Sequence, residues 1–78
     1  MSAPEDLYRT LVGRLETARA GNLESARRTT TPEVALATSS MASAYLHAIA
    51  DTIFVFEGAD AAQAYIQQAA AVEAAVQS

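Results

Sequence analysis

The chain has 78 residues, 51% of them hydrophobic, and a formal net charge of −4 without any cysteine. Its length predicts one domain over residues 1–78, which has no disulfide to stabilise it and buries only about 60% of its unfolded surface. The acidic balance argues against general nucleic-acid binding, and no apolar run reaches the ~18 residues that a bilayer span needs, so we expect a cytoplasmic protein without membrane contact.

The amino-terminal segment is predicted to be an amphipathic helix that begins after the candidate N-cap Ser2. Its leucines recur at the spacing of one helix face. These are Leu7, Leu11 and Leu15. A Gly-Asn pair at residues 21–22 interrupts the pattern, so we expect the helix to end near Ala20, with residues 23–28 as a short helical turn or a bent continuation.

A second, central helix is predicted from Pro32 to Glu57, about 39 Å long at ~1.5 Å per residue. Residues 28–31 form a polar connector before it, because β-branched residues ahead of a proline disfavour helix. Thr31 is a candidate N-cap, proline suits the first helical position, and Gly58 can adopt the left-handed conformation that ends a helix.

A helical wheel at ~100° per residue assigns one wide apolar face of the central helix to the core. That face contains Val34, Met41, Tyr45, Ala48, Ile49, Thr52 and Phe56. Leu36 and Phe54 lie on the opposite, polar side, so we expect them to meet a second surface, either the first helix or a neighbouring chain.

A third helix is predicted to start at Asp60, after a tight turn at residues 58–59, and to run antiparallel to the central helix. Its inner face would contain Tyr65, Ala69, Val72 and Val76, with Phe56 near Tyr65 at the closed end. The predicted fold class is therefore all-α, a three-helix chain with a long central helix and an antiparallel helical hairpin.

We also expect the chain to form homo-oligomers, because so short a chain has more apolar helix surface than it can bury. The predicted interface lies on the central helix. It consists of Leu36, Met41, Tyr45, Phe54 and Phe56.

Catalysis is not expected from this sequence. Ser43, His47 and Asp51 share one side of the central helix, and His47 with Asp51 would resemble an oriented general base. A solvated or back-bonded line of polar residues is the commoner reason for such a pattern. Phosphate-binding glycine loops and the usual metal-ligand spacings are missing, so we predict no enzyme, no catalytic residue, no metal and no cofactor.

Binding chemistry concentrates at the connector before the central helix. Two guanidinium groups and three hydroxyls there precede a helix amino terminus, which attracts anions. The predicted ligand-binding residues are Arg27, Arg28, Thr29, Thr30 and Thr31, with Tyr8 available to stack on a flat ring. The alternative is a polar loop whose arginines pair with Glu24 or Glu33.

Two family resemblances bear on function. Residues 32–37, Ser40 and residues 44–46 resemble the second helix of small phage hairpin proteins, the anti-CBASS sponges, that sequester cyclic nucleotides. The resemblance implies a compact helical homo-oligomer that binds its ligand between protomers. It would give Tyr8, one of Arg27 and Arg28, and one of Thr29 and Thr30 as the binding residues, although the third helix is not needed in such hairpins.

The second resemblance is at the turn after the central helix. Residues 56–58, followed by Ala61, Ala62, Ala64 and Tyr65, are similar to the aromatic-x-Gly turn of WXG100 secretion substrates, which are Ala-rich helical hairpins that dimerise. Phe56 stands in the place of the tryptophan. Because Tyr65 and Ala69 do not form the export signal, the resemblance implies the geometry of the turn and not the secretion.

The sequence therefore predicts a protein that acts by binding. One hypothesis is a homo-oligomer that captures a small anionic ligand such as a nucleotide at residues 27–31. The alternative is a helical adaptor or inhibitor that docks on another protein through Leu36 and Phe54. A helix-turn-helix DNA binder is disfavoured, because the last two predicted helices contain neither arginine nor lysine.

Overall fold

A computed structural model describes residues 4–77, with side chains for residues 4–75. Three helices follow one another: α1 spans Pro4–Arg28, α2 spans Pro32–Glu57 and α3 spans Ala59–Gln77. The predicted all-α fold is confirmed, and α2 has the predicted bounds. Taken over residues 4–77, none of the helices has the length and hydropathy of a membrane span. The predicted cap Ser2 and the Val76 side chain lie outside the part that is described.

Helix α1 continues through Gly21 and Asn22 to Arg28. The expected end near Ala20 is therefore wrong, and residues 23–28 are the continuation of the helix that was one of the two alternatives for this segment. The Asn22 side-chain amide donates a hydrogen bond to the Ala18 carbonyl, 2.9 Å away, and so remains compatible with the helix. Leu23 beyond it is partly buried. Such tertiary packing offsets the ~1 kcal/mol that a glycine costs inside a helix.

Residues 29–31 form the connector between α1 and α2. Thr31 has an extended backbone, with φ −95° and ψ 114°, and its carbonyl accepts the first hydrogen bond of α2 from the Ala35 N–H, at 3.0 Å. Within the described residues its side chain makes no capping hydrogen bond, contrary to expectation. The Thr31 N–H instead donates to the Thr29 hydroxyl, at 3.2 Å.

Gly58 alone separates α2 from α3. Its backbone, with φ 97° and ψ 177°, occupies a region that is essentially restricted to glycine. The Gly58 N–H donates to the Phe54 carbonyl at 3.0 Å, and its own carbonyl accepts from the Ala62 N–H at 3.2 Å. The same residue thus ends α2 and starts α3, which begins at Ala59, one residue before the predicted Asp60.

The core lies where all three helices meet, toward the Gly58 end of the molecule. Its buried cluster consists of Ile49 and Ile53 from α2 and Ala62 from α3. Partly buried side chains pack around this cluster. They are Tyr8, Val12, Leu15, Ala61 and Tyr65. Among the described side chains, the large ones that are buried are the two isoleucines, so the core is small.

The molecule exposes more surface than a folded monomer of its mass usually does. Its accessible surface is 5643 Å², whereas a chain of 8.2 kDa folded as a compact monomer exposes about 4,500 Å². The radius of gyration is 13.9 Å, against about 11.5 Å for a compact domain of this length. The principal extents of 44 × 26 × 16 Å describe a thin slab of helices.

Candidate functional site

The predicted anion-binding segment lies at the end of α1 and in the connector. Arg27 and Arg28 share one carboxylate: the Arg27 guanidinium donates to one oxygen of Glu24, and the Arg28 Nε donates to the other, at 2.7 Å. Both hydrogen bonds lower the pKa of the Glu24 carboxyl, and the one from Arg27 has the larger effect. The two arginine side chains remain 65% and 80% exposed. Two positive charges therefore face one negative charge, at a surface open to solvent.

Tyr8 lies at the other end of α1, far from these arginines. Nineteen residues of continuous helix separate Tyr8 from Arg27, which corresponds to about 29 Å. The Tyr8 ring stacks on Phe56, with 4.6 Å between ring centroids and 21° between ring planes, and its hydroxyl donates to Glu57. This hydrogen bond, followed by desolvation, raises the pKa of Tyr8. Within one chain, Tyr8 and Arg27 cannot contact the same small ligand.

An open groove of about 770 Å³ separates the carboxyl-terminal halves of α1 and α3. Apolar side chains from both helices line it, together with polar residues at its edges. The apolar ones are Ala20, Leu23, Ala26, Ala69 and Val72, and the charged ones are Glu16, Arg19, Glu24, Arg27 and Glu73. Because the negative and positive charges almost balance, the groove does not favour an anion.

Polar pairs link α1 to α3 across this groove. The Tyr65 hydroxyl donates to Glu16, with 2.7 Å between the oxygens, and Arg19 forms an ion pair with Glu73. Burial, with the hydrogen bond to Glu16 adding to it, raises the pKa of Tyr65 to about 12. The Arg19 side chain is 15% exposed, and its Nε is a buried donor without a partner in the described structure. Most of the polar atoms of these side chains are already paired with one another, so we assign these residues a structural role.

The line of polar residues on α2 lies at the surface. Ser43, His47 and Asp51 are exposed, and within residues 4–77 no hydrogen bond joins His47 to Asp51. In the same range no three His, Cys, Asp or Glu residues gather where they could hold a metal ion.

The wide apolar face of α2 divides in the structure, and only part of it is core. Ile49 is fully buried, whereas Val34 and Met41, which the wheel placed in the core, are 45% and 50% exposed. Val55 is 77% exposed. The wheel missed this division because it reports the width of an apolar face but not which neighbouring helix covers it.

The more exposed side of that face forms what we call the apolar stripe of α2, and the acidic residues Glu33 and Asp51 border it. It consists of Val34, Ala37, Met41, Ala44, Ala48 and Val55. On the wheel it lies beside the buried Ile49. Leu7 and Leu11 on α1 are 61% and 46% exposed and likewise lie on the side of their helix away from the groove.

The remaining residues of the predicted interface lie elsewhere. Leu36 is 70% and Phe54 is 57% exposed, on the polar side of α2, and eighteen residues separate them, or about 27 Å. They do not form one patch. Phe56 is 53% exposed although it stacks on Tyr8, and Tyr45 is partly buried at the edge of the apolar stripe.

No family model, curated protein or solved structure matches this chain. The two family resemblances stay predictions, and any functional proposal depends on the geometry described above.

Proposed function

We propose that the chain is a non-catalytic α-helical protein that acts by binding, and that it forms a homo-oligomer through the apolar stripe of α2. The observation that carries this proposal is the accessible surface of 5643 Å², which exceeds that of a compact monomer of equal mass by about 1,100 Å². A standard protein interface buries about 800 Å² on each partner. One interface of ordinary size would therefore remove most of the excess.

The chemistry of the stripe supports the same proposal. Val34, Met41 and Val55 are large apolar side chains that are 45 to 77% exposed, and their neighbours along the stripe are alanines. Burying such a surface gains roughly 25 cal/mol per Å². Alanines also allow helices to approach closely.

Mass measurement in solution tests the proposal, with two matched variants. Met41→Glu places a charge in the stripe and should reduce the particle to one chain while the circular dichroism stays helical. Leu36→Glu places the same charge on the opposite side of α2 at a more exposed leucine, and should leave the mass of the oligomer unchanged. If the unmodified chain has the mass of a single copy at every concentration, the proposal is wrong.

A finer part of the proposal concerns a small anionic, nucleotide-like ligand at residues 27–31. It is supported by the two exposed guanidiniums of Arg27 and Arg28, which share the single carboxylate of Glu24. Any assistance from Tyr8 has to come from another copy. The double variant Arg27→Glu, Arg28→Glu should abolish the calorimetric signal of a nucleotide panel without changing the oligomer, and unchanged binding would exclude this ligand site.

A second candidate function is that of a protein adaptor, favoured by the 70% exposure of Leu36 and the 57% exposure of Phe54. Both lie outside the apolar stripe, so self-association there would leave them accessible to a different protein. An adaptor should retain one defined protein in pull-downs, lose it in Leu36→Glu and Phe54→Glu, and keep it in Met41→Glu. Equal retention by all three variants would contradict this role.

A further inference from the structure

The apolar stripe has a regular spacing along α2. Val34, Met41, Ala48 and Val55 follow one another at intervals of seven residues. A seven-residue repeat keeps a seam on one side of a helix and is the spacing with which helices pack side by side in coiled coils. The stripe therefore matches a long helix as its occupant better than it matches a small molecule.

These four residues are also placed symmetrically about the middle of their helix. Helix α2 spans Pro32–Glu57, so its midpoint lies between Ala44 and Tyr45. Val34 and Val55 are equidistant from that midpoint. Met41 and Ala48 are equidistant from it as well.

We infer that the occupant of the stripe is the α2 helix of a second copy, packed antiparallel across a two-fold axis at this midpoint. The inference rests on the proposed function, because it names the partner and the geometry of the same surface. Val34 would then lie opposite Val55 of the second copy, and Met41 opposite Ala48. Large side chains thus meet small or medium ones, as interdigitated packing requires, and each contact occurs twice, as in any isologous dimer.

The orientation has an electrostatic reason. In a parallel pair, the two Glu33 side chains, which border the stripe, would lie close together at one end. An antiparallel pair instead places the amino terminus of each α2 beside the carboxyl terminus of its partner, which is favourable for the helix dipoles. An axis at the midpoint also aligns the two helices over their whole length.

The length of the contact agrees with the area that has to be covered. Twenty-six residues of α2 pair over about 39 Å, and Leu7 and Leu11 extend the contact from α1 toward the amino-terminal half of the second α2. A contact of this length, two helices wide, suffices for the roughly 800 Å² per partner of a standard interface.

Disulfide cross-linking distinguishes the possible geometries, because the chain has no cysteine of its own. A disulfide needs two Cα atoms within about 7 Å of each other. In the antiparallel pair, residue 34 of one copy lies opposite residue 55 of the other, whereas the two residues 34 lie about 32 Å apart. Mixing Val34→Cys with Val55→Cys should therefore give an oxidised dimer, and neither variant alone should give one.

A control pair uses the same register on the other side of α2. Leu36→Cys mixed with Phe54→Cys places the cysteines at nearly the same heights but outside the stripe, and should give no disulfide. A disulfide from Val34→Cys alone would indicate parallel helices, and one from the control pair would indicate the opposite face; either result overturns the inference.

The solution mass of the same samples separates this inference from the proposed function. A dimer that cross-links at none of these sites overturns the antiparallel contact but leaves self-association standing. A single-chain mass for the reduced proteins and for the unmodified chain overturns both. Circular dichroism of each cysteine variant verifies that its helices are intact.

Discussion

The ring of Tyr8 stacks on the ring of Phe56 with 4.6 Å between their centroids, and this contact joins the start of α1 to the end of α2. Offset stacking contributes about 0.5–1.5 kcal/mol beyond the burial of the rings. The contact borders the small core of Ile49, Ile53 and Ala62. A residue that resembles a ligand-stacking tyrosine thus has a structural role in the chain.

Replacing Tyr8 should separate the contribution of its ring from that of its hydroxyl. We expect Tyr8→Ala to lower the free energy of unfolding by about 1–3 kcal/mol, because stacking and burial are both lost. Tyr8→Phe keeps the ring and removes only the hydrogen bond to Glu57, so its effect should be much smaller. Urea unfolding at one fixed protein concentration measures both, and equal losses in the two variants would refute the role of the ring.

Gly58 and Gly13 should respond in opposite directions to the same substitution. At Gly58, with φ 97° and ψ 177°, an alanine would be strained, and we expect a loss of about 1–3 kcal/mol in unfolding free energy. Gly13 lies inside α1 with nothing near its missing Cβ, so Gly13→Ala should stabilise by about 0.5–1 kcal/mol. A stable Gly58→Ala variant would show that the one-residue turn between α2 and α3 is wrong.

The hydrogen bond from Tyr65 to Glu16 should make stability depend on pH in the alkaline range. The folded-state pKa of Tyr65 is raised to about 12 from an ordinary value of 10.0. The unfolded chain therefore loses this proton first as the pH rises. The stabilisation is complete below pH 10 and is lost as the pH rises from 10 toward 12.

Tyr65→Phe should reduce this alkaline loss, since the variant has no hydroxyl to ionise at that position. Urea unfolding below pH 10 and near pH 12, together with a titration of tyrosinate absorbance, measures the difference. If the original chain and the variant lose equal stability over this interval, Tyr65 does not hold the raised pKa.

The ion pair of Arg19 with Glu73 should couple α1 to α3. Glu73→Ala leaves a guanidinium that is only 15% exposed without its acceptor, and we expect a loss of about 1–3 kcal/mol in unfolding free energy. Adding Arg19→Met should restore much of it, because the methionine keeps apolar contacts in the groove and removes the buried charge. Effects of the two substitutions that simply add would show that the pair is not coupled.

Local chemistry explains which helix ends could be predicted. Thr31 with Pro32 and Gly58 specify the two ends of α2 through backbone geometry alone, and the structure has those bounds. The end of α1 could not be predicted in the same way: Gly21 is a possible stop in isolation, but the helix continues through it to Arg28, and Leu23 beyond it is partly buried.

The candidate surfaces could be predicted only in part. The periodicity identified α2 as broadly apolar, but the exposure of Val34 and Met41 follows from where α1 and α3 lie. The separation of Tyr8 from Arg27 follows from α1 being one continuous helix. The sequence left open whether the two arginines bind a ligand or pair with a nearby glutamate. In the structure, Arg27 and Arg28 both pair with Glu24.

Self-association is the central claim, and sedimentation equilibrium of the unmodified chain over a wide concentration range tests it most directly. We expect the weight-average mass to rise from one copy toward two copies as the concentration increases. A mass of 8.2 kDa at every concentration would contradict the claim.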